Sequence, residues 1–128
     1  MTIQRLSVRN VTVLRNPGKQ SEQLVWSRNA PEASVTITRV TMDPGSVSKR
    51  HAHPRSEQIW IIERGAGLLL MDKEKHAELR AGDIIRTPPR DTHGVENTGN
   101  EPLVYLAITS PPEDFTTAYK DEDVPADN

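Results

Sequence analysis

Histidines are the side chains of this chain whose types and spacing best support chemistry. His51 and His53 stand one residue apart in "HAHPRSEQIWIIERG", and His76 and His93 follow later in the chain. In an extended strand, residues i and i+2 point to the same side, so His51 and His53 can direct both imidazoles at one point. Such a pair is suited to a metal ion, although two exposed strand histidines would show the same pattern.

Composition limits the ligands and partners that this site could use. The chain has 128 residues, the size of one domain with one hydrophobic core. It contains no cysteine, so any metal must be held by nitrogen and oxygen atoms. A formal net charge of -2 argues against nucleic acid and against an anionic membrane surface as partners. Charges interrupt the apolar residues of "MTIQRLSVRNVTVLRN", and we therefore expect a soluble, cytoplasmic protein.

Short runs rich in Val, Ile, Thr and Leu recur along the chain and must position these histidines. The runs "QLVWSR", "SVTITRVTM", "EQIWIIE", "GLLLMD", "HAEL", "DIIRTP" and "PLVYLAITS" read as strands, and no stretch has a helical period. Turn sequences such as "DPGS", "RGAG" and "NTGN" separate them. The pattern predicts an all-β sandwich or barrel over residues 1–115. A polar, acidic tail with little to bury follows at 116–128, and we assign it no role.

Two longer strings extend the histidine pattern. Residues 45–65 read "GSVSKRHAHPRSEQIWIIERG" and residues 82–97 read "GDIIRTPPRDTHGVEN". Their spacing closely resembles the paired motifs of the cupin superfamily in its small, single-domain form. The resemblance implies a double-stranded β-helix, a jelly-roll-like barrel, in which His51, His53, His93 and a fourth ligand converge on one metal. One departure is Arg90, which occupies a position where the second motif usually has glycine.

The fourth ligand is either Glu57 or Gln58. Cupin motifs admit both spacings from the second histidine, but the usual distance to Gly65 fits Gln58. Strand phase favours the same residue, because Gln58 shares a side with Trp60 and Ile62, which suit a barrel interior. A bulge near Pro54 would reset the phase, so Glu57 remains the alternative.

Four further residues have a functional and a structural interpretation. Trp60 fits the core and also a wall of a substrate cavity. Tyr105 could supply a hydroxyl for proton transfer, although a strand tyrosine with a surface hydroxyl is the commoner case. Arg86 shares a face with Ile84, where it either clamps a substrate carboxylate or phosphate or pairs outward with an acidic residue on a neighbouring strand. Arg90 is a weaker candidate for the same clamp.

Two more polar residues are expected to be structural. His76 lies between the two motifs and reads as a surface histidine. Asn97 is expected to fix the turn that follows His93. No second carboxylate lies in phase with the predicted ligands.

The predicted ligand set points to one divalent transition metal without selecting it. Imidazoles with a side-chain oxygen suit Fe, Mn, Ni, Co, Cu or Zn. Three neutral imidazoles and the amide of Gln58 leave a divalent ion with its full charge. That charge favours Lewis-acid chemistry on a small anionic or oxygen-rich substrate, in the manner of cupin isomerases and lyases. The alternatives are an O2-dependent dioxygenase and a non-catalytic small-molecule binder or sensor. Cupins commonly pair, so we also expect a homodimer, with "IQRLSV" and "QLVWSR" offering apolar residues.

Overall fold

The architecture is almost entirely β. A computed structural model describes residues 2–125. Its strands are β1 (Val13–Asn16), β2 (Lys19–Val25), β3 (Thr36–Met42), β4 (Val47–His51), β5 (Glu57–Arg64), β6 (Ala66–Met71), β7 (His76–Arg80), β8 (Ile84–Thr87), β9 (His93–Glu96), β10 (Leu103–Ser110) and β11 (Asp121–Asp123). Single-turn 3₁₀ helices cover Val8–Asn10, Asp72–Glu74 and Thr116–Ala118. The all-β prediction is confirmed.

The strands form two antiparallel sheets that enclose one interior. The larger sheet has seven strands in the order β11-β1-β2-β3-β10-β5-β8, and the smaller has four in the order β4-β9-β6-β7. Strands distant in sequence are therefore neighbours, as the double-stranded β-helix requires. Within residues 2–125, no helix is long and apolar enough to cross a bilayer.

Alternation along the strands decides which side chains fill the interior. Every second residue of β3 and β10 is buried, as expected for sheets with one covered face. The inner positions of β10 change from Leu103 through Tyr105 and Ala107 to Thr109. One end of this strand's inner face is thus apolar and the other polar. The buried hydrophobic core consists of Val40, Met42, Trp60, Ile62, Leu79, Val95, Leu103, Tyr105 and Ala107.

The phase predicted for β5 is confirmed. Gln58, Trp60 and Ile62 are 6%, 2% and 1% exposed and face the interior. Glu57 and Ile61 lie on the other side of the strand, with Ile61 36% exposed. No bulge within β5 reverses this arrangement at its N-terminal end, where Gln58 pairs with residues of β10 and β8.

The two strands that carry the site histidines approach each other closely at a glycine. β4 pairs with β9, and the register shifts between Ser48 and His51 so that His51 lies opposite His93. A Cβ atom on Gly94 would lie 2.6 Å from the Ser48 carbonyl oxygen, which real side chains do not tolerate. Glycine beside His93 therefore permits the strand contact that sets the distance between the two histidines.

The predicted tail returns to the barrel over the part that the structure describes. β11 pairs with β1, so that Leu14 lies opposite Glu122, although the residues of β11 are exposed. Phe115 and Tyr119, on either side of the last 3₁₀ helix, are half-buried. Residues 126–128 of the predicted segment lie outside the described residues.

Asn97 closes the turn after β9, as predicted, and its removal should destabilise the fold. Its side chain is 0% exposed, donates to the carbonyls of Met42 and Glu101 at 2.9 Å each, and accepts from the Gly99 amide at 3.0 Å. Asn97→Ala leaves buried backbone groups without partners, which should cost about 2 kcal/mol or more of unfolding free energy. Urea denaturation measures it, with the exposed Asn100→Ala as the control, and equal stabilities of the two variants would contradict the assignment.

Candidate metal centre

Three of the four histidines converge at one place. His51 ends β4, His53 follows in the next loop, and His93 begins β9. Their ligand nitrogen atoms all lie within 4.8 Å of one another. The centroid of the His51 ring lies 5.0 Å from that of the His53 ring and 4.5 Å from that of the His93 ring. The structure therefore assembles the predicted cluster, while His76 is exposed on β7, as expected.

Each of the three rings is oriented by its Nδ1 atom. Every Nδ1 faces an oxygen that can only accept a hydrogen bond, so the proton resides on Nδ1 and the Nε2 lone pair is free. The contacts are His51 to the Lys49 carbonyl at 2.7 Å, His93 to the Asp91 carbonyl at 3.0 Å and His53 to the Glu113 carboxylate at 3.0 Å. Partners of this kind commonly orient histidines that bind metals.

The Nε2 atoms of His53 and His93 are buried and have no hydrogen-bond partner among the described residues. Buried polar atoms are normally paired, so two unpaired lone pairs in one cluster call for a ligand. An ion that accepts lone pairs satisfies both atoms at once. The residues present therefore fit a divalent transition metal, with imidazole donors that do not discriminate between Fe, Mn, Ni, Co, Cu and Zn.

Burial also keeps the imidazoles of His51 and His93 neutral. It lowers the pKa of His93 to about 4, with a further lowering from the neighbouring histidines. Burial lowers the pKa of His51 as well, and the hydrogen bond to the Lys49 carbonyl opposes part of that effect. Because a metal binds the neutral imidazole, both rings are in the binding form at neutral pH.

The cluster opens into a cavity of about 560 Å³. Trp60 and Tyr105 form part of its wall, so Trp60 is both a core residue and a cavity-lining residue, and its contact with a substrate stays a prediction. The Trp60 ring lies 5.6 Å from the ring of His93 and 5.1 Å from that of Tyr105. Other strands and the C-terminal segment complete the lining, with Lys19, Ser21, Ser48, Phe115 and Tyr119.

Gln58, and not Glu57, faces this cavity. Its Nε2 donates to Thr109 Oγ1 at 2.9 Å, and its Oε1 accepts from Trp60 Nε1 at 3.1 Å. An amide oxygen has two lone pairs, so Oε1 keeps one for a further contact. Glu57 points away and accepts a hydrogen bond from Arg86. Coordination by Gln58 stays a prediction, but strand phase places it on the required side.

The two predicted substrate arginines lie outside the cavity, which corrects their expected placement. Arg86 is exposed and pairs with Glu57 at 2.9 Å, the outward arrangement, because the face of β8 that it shares with Ile84 is open to solvent. Arg90 is exposed too, and its backbone amide donates to the His53 carbonyl at 2.7 Å. Its φ of 70° is left-handed, which explains in physical terms why this position of the motif favours glycine.

Tyr105 lies inside the barrel and not at the surface. It is 4% exposed, and burial raises the pKa of its hydroxyl well above the usual range. Tyr105 shares this face of β10 with Leu103 and Ala107, which are also buried, so the expectation of a surface hydroxyl was wrong. At neutral pH Tyr105 holds its proton and can act in the cavity as a hydrogen-bond donor.

The sequence did not reveal Glu113, whose carboxylate contacts His53. It belongs to the loop "SPPEDF", which has no strand phase and which lies sixty residues from His53. Thr36 fixes this loop, since its Oγ1 donates to the Glu113 carbonyl at 2.9 Å and accepts from the Glu113 amide at 3.1 Å. The expectation that no second carboxylate lies near the predicted ligands was based on strand phase alone. Glu113 lies on a loop and nevertheless contacts His53.

Comparisons with known proteins agree with this fold. Residues 38–109 match the Cupin domain family. An uncharacterised protein of Methanocaldococcus jannaschii is 44% identical over 77 residues, 60% of this chain and 61% of that protein. The oxalate-binding protein of Thermotoga maritima is 36% identical over 72 residues, 56% of this chain and 59% of that protein. A crystal structure of a predicted oxalate decarboxylase from Thermotoga maritima aligns with a TM-score of 0.71 and 25% identity, covering 84% of this chain and 99% of that chain.

These matches are partial in the curated relatives. The chain spans 61% and 59% of the lengths of the Methanocaldococcus and Thermotoga proteins. One of the two is named for binding and the other has no named activity, so the likeness identifies the fold and the family but not a reaction.

Loss of one histidine should abolish metal binding. We expect wild-type protein loaded anaerobically with Co(II) or Zn(II) to retain about one ion per chain, because three imidazoles complete a stable site. His93→Ala should retain almost none, and His76→Ala, a matched change of an exposed histidine, should retain the wild-type amount. Metal analysis after gel filtration gives these ratios.

The same measurement distinguishes the two candidates for the fourth ligand. Gln58→Ala should lower the metal affinity by about tenfold to a hundredfold, whereas Glu57→Ala should leave it unchanged. Retained affinity in Gln58→Ala together with loss in Glu57→Ala would show that Glu57 is the ligand.

Proposed function

The chain belongs to the cupin family, and from this membership and its histidine cluster we propose that it is a metal-dependent enzyme for small anionic, oxygen-rich molecules. The observation that carries the proposal is the pair of buried, unpartnered Nε2 atoms of His53 and His93 beside a cavity. With His51 and Gln58 they would hold one divalent ion. Such an ion, when bound, supplies a Lewis acid that polarises a carbonyl or carboxylate oxygen.

The charge of the site supports an anionic substrate. The three imidazoles and the amide of Gln58 are neutral ligands and do not offset the charge of a divalent ion. Glu113 offsets part of it from outside, because its carboxylate contacts the far nitrogen of His53. The remaining positive charge lies in a partly enclosed cavity, where an anion is attracted more strongly than in open water.

The residues of the chain would orient the substrate and control its protons. Tyr105 carries a neutral hydroxyl that can donate to a substrate oxygen but cannot accept a proton at neutral pH without first losing its own. The Phe115 ring lies 6.0 Å from the His53 ring and, with Trp60, makes the cavity wall beside the cluster apolar. These apolar walls would exclude water from the reacting group and strengthen its polar contacts.

The names of two similar proteins support a small carboxylate as the substrate. One is an oxalate-binding protein and the other a predicted oxalate decarboxylase, both from Thermotoga maritima. Carboxylates are oxygen donors that suit a Lewis-acid site. The first of these names also favours the alternative of a non-catalytic binding protein, which the following experiment distinguishes.

We expect activity to be independent of oxygen. Anaerobically purified protein reconstituted with Zn(II) should convert at least one member of a panel of small carboxylic acids and sugars, because a Lewis acid needs no redox change. His93→Ala should abolish the conversion and His76→Ala should preserve it. Product analysis by NMR provides the readout.

Two results would replace the proposal. Conversion that requires Fe(II) and consumes O2 in proportion to product would make the protein a dioxygenase. Tight binding of a panel member, measured by calorimetry, without conversion under any metal would make it a binding protein.

We also propose that two copies of the chain pair through the N-terminal segment. Ile3, Leu6 and Val8 are 91%, 47% and 50% exposed, and a single barrel leaves this apolar surface in water. Light scattering at micromolar concentration should give twice the 14.3 kDa chain mass. Replacing Ile3 and Leu6 by serine should shift the mass to that of one chain, whereas Val124→Ser, an exposed apolar control, should not. A wild-type monomer would refute the proposal.

A further inference from the structure

Lys19 brings a positive charge into the same cavity. It begins β2 and shares the inward face of that strand with Ser21 and Gln23, which are 2% and 0% exposed. Its side chain lines the cavity together with Ser48 and Tyr119. Sequence reasoning missed it because a lysine at the start of a strand usually lies in solvent.

The ammonium group of Lys19 is only partly satisfied by the protein. Its Nζ donates to Ser48 Oγ at 2.5 Å and lies 5.3 Å from the centre of the Tyr119 ring. An ammonium has three donors, and one is accounted for by Ser48. Among residues 2–125, no carboxylate lies within ion-pair distance of Nζ.

Lys19 holds its ammonium group in a half-buried position without a carboxylate partner among residues 2–125. Burial lowers the pKa of Lys19 to about 8, because the charged form loses part of its contact with water. A buried charge without a partner is strongly unfavourable, and a methionine of similar shape would avoid the cost. A residue that weakens the fold in this way is expected to serve a ligand.

Lys19 and the histidine cluster line the same cavity, near opposite ends of β4. Ser48, which holds the ammonium, precedes His51 by three residues on that strand, a separation of roughly 10 Å between Cα atoms. Lys19, His51 and His53 line the same cavity. The ammonium therefore lies on a wall of the metal cavity but at a distance from the ligand nitrogens.

We propose that Lys19 is the substrate-anchoring residue of this cavity and that it binds a carboxylate at the far end of the substrate. The inference rests on the proposed function, and it makes the substrate a small acid with two oxygen-bearing ends. One end would be bound at the histidine cluster and the other by the free donors of Lys19. The residue assigned here lies outside the region that matches the family.

A carboxylate fits this anchor better than a phosphate does. A phosphate is normally held by several donors, often an arginine fork or a row of backbone amides. Arg50 borders the cavity, but its guanidinium donates to the carbonyls of Met71 at 2.7 Å and Lys75 at 3.4 Å. A single ammonium group carries one positive charge, which one carboxylate neutralises.

Binding of defined acids tests the anchor. Zn(II)-loaded wild-type protein, Lys19→Met and the exposed control Lys75→Met are titrated by calorimetry with oxalate, malonate, succinate and the half-amide succinamate. Lys19→Met should weaken the tightest-binding dicarboxylate at least fivefold and lose any preference for succinate over succinamate, while zinc content and the Lys75→Met affinities stay at wild-type values. A smaller change in Lys19→Met, or no binding of any acid to wild-type protein, overturns the inference.

A stability measurement separates anchoring from a structural role. Lys19→Met should raise the midpoint of thermal unfolding by about 5 °C, because a half-buried ammonium without a carboxylate partner is removed. A lower midpoint with unchanged acid affinity would instead make Lys19 a structural link between β2 and β4. If wild-type protein retains no metal, the proposed function fails on its own, and titration of the metal-free proteins with the same acids still decides the role of Lys19.

Discussion

The pairing of β4 with β9 is the contact on which the rest of the site depends. These strands belong to distant parts of the chain, and their register places His51 opposite His93. The close approach at Gly94 fixes the spacing, and the backbone contact from Arg90 to the His53 carbonyl positions the third ring. Backbone geometry thus assembles the cluster, and the carbonyls of Lys49 and Asp91 then orient two of its rings. Few side-chain contacts are needed beyond these.

The predictions that the structure confirms rest mainly on strand phase, the alternation of inward and outward side chains along a strand. The inward side of β5 follows from the two-residue period of a strand, which the sequence displays directly, whereas the expected surface hydroxyl of Tyr105 was wrong. The motif spacing correctly brought three histidines to one place. Phase also identified the side of β8 that Arg86 occupies, but it could not decide whether that side faced the cavity or solvent. Only the order of strands in the sheets decides this, and Arg86 pairs with Glu57 outside.

The residues that sequence reasoning missed share a physical reason. Glu113 reaches His53 from a loop, and Lys19 reaches Ser48 across the gap between two sheets. Neither contact produces a local period, because the partners are far apart in the chain and belong to elements of different kinds. Such contacts depend on tertiary packing, so composition and spacing predict the histidine cluster better than the groups around it. The argument that neutral ligands leave a divalent ion with its full charge was incomplete for the same reason, because it did not include Glu113.

The cavity is lined by two parts of the chain, and one of them lies outside the region that matches the Cupin domain family. Residues 38–109, which match the family, contain the three histidines and Gln58. Lys19, Glu113, Phe115 and Tyr119 lie before or after that region, on segments held to the barrel by strand pairing at its edge. Substitutions in these flanking segments can alter the mouth and its charge while leaving the barrel core intact. The two ends of the chain can therefore diverge independently of the central portion, which keeps the histidine cluster.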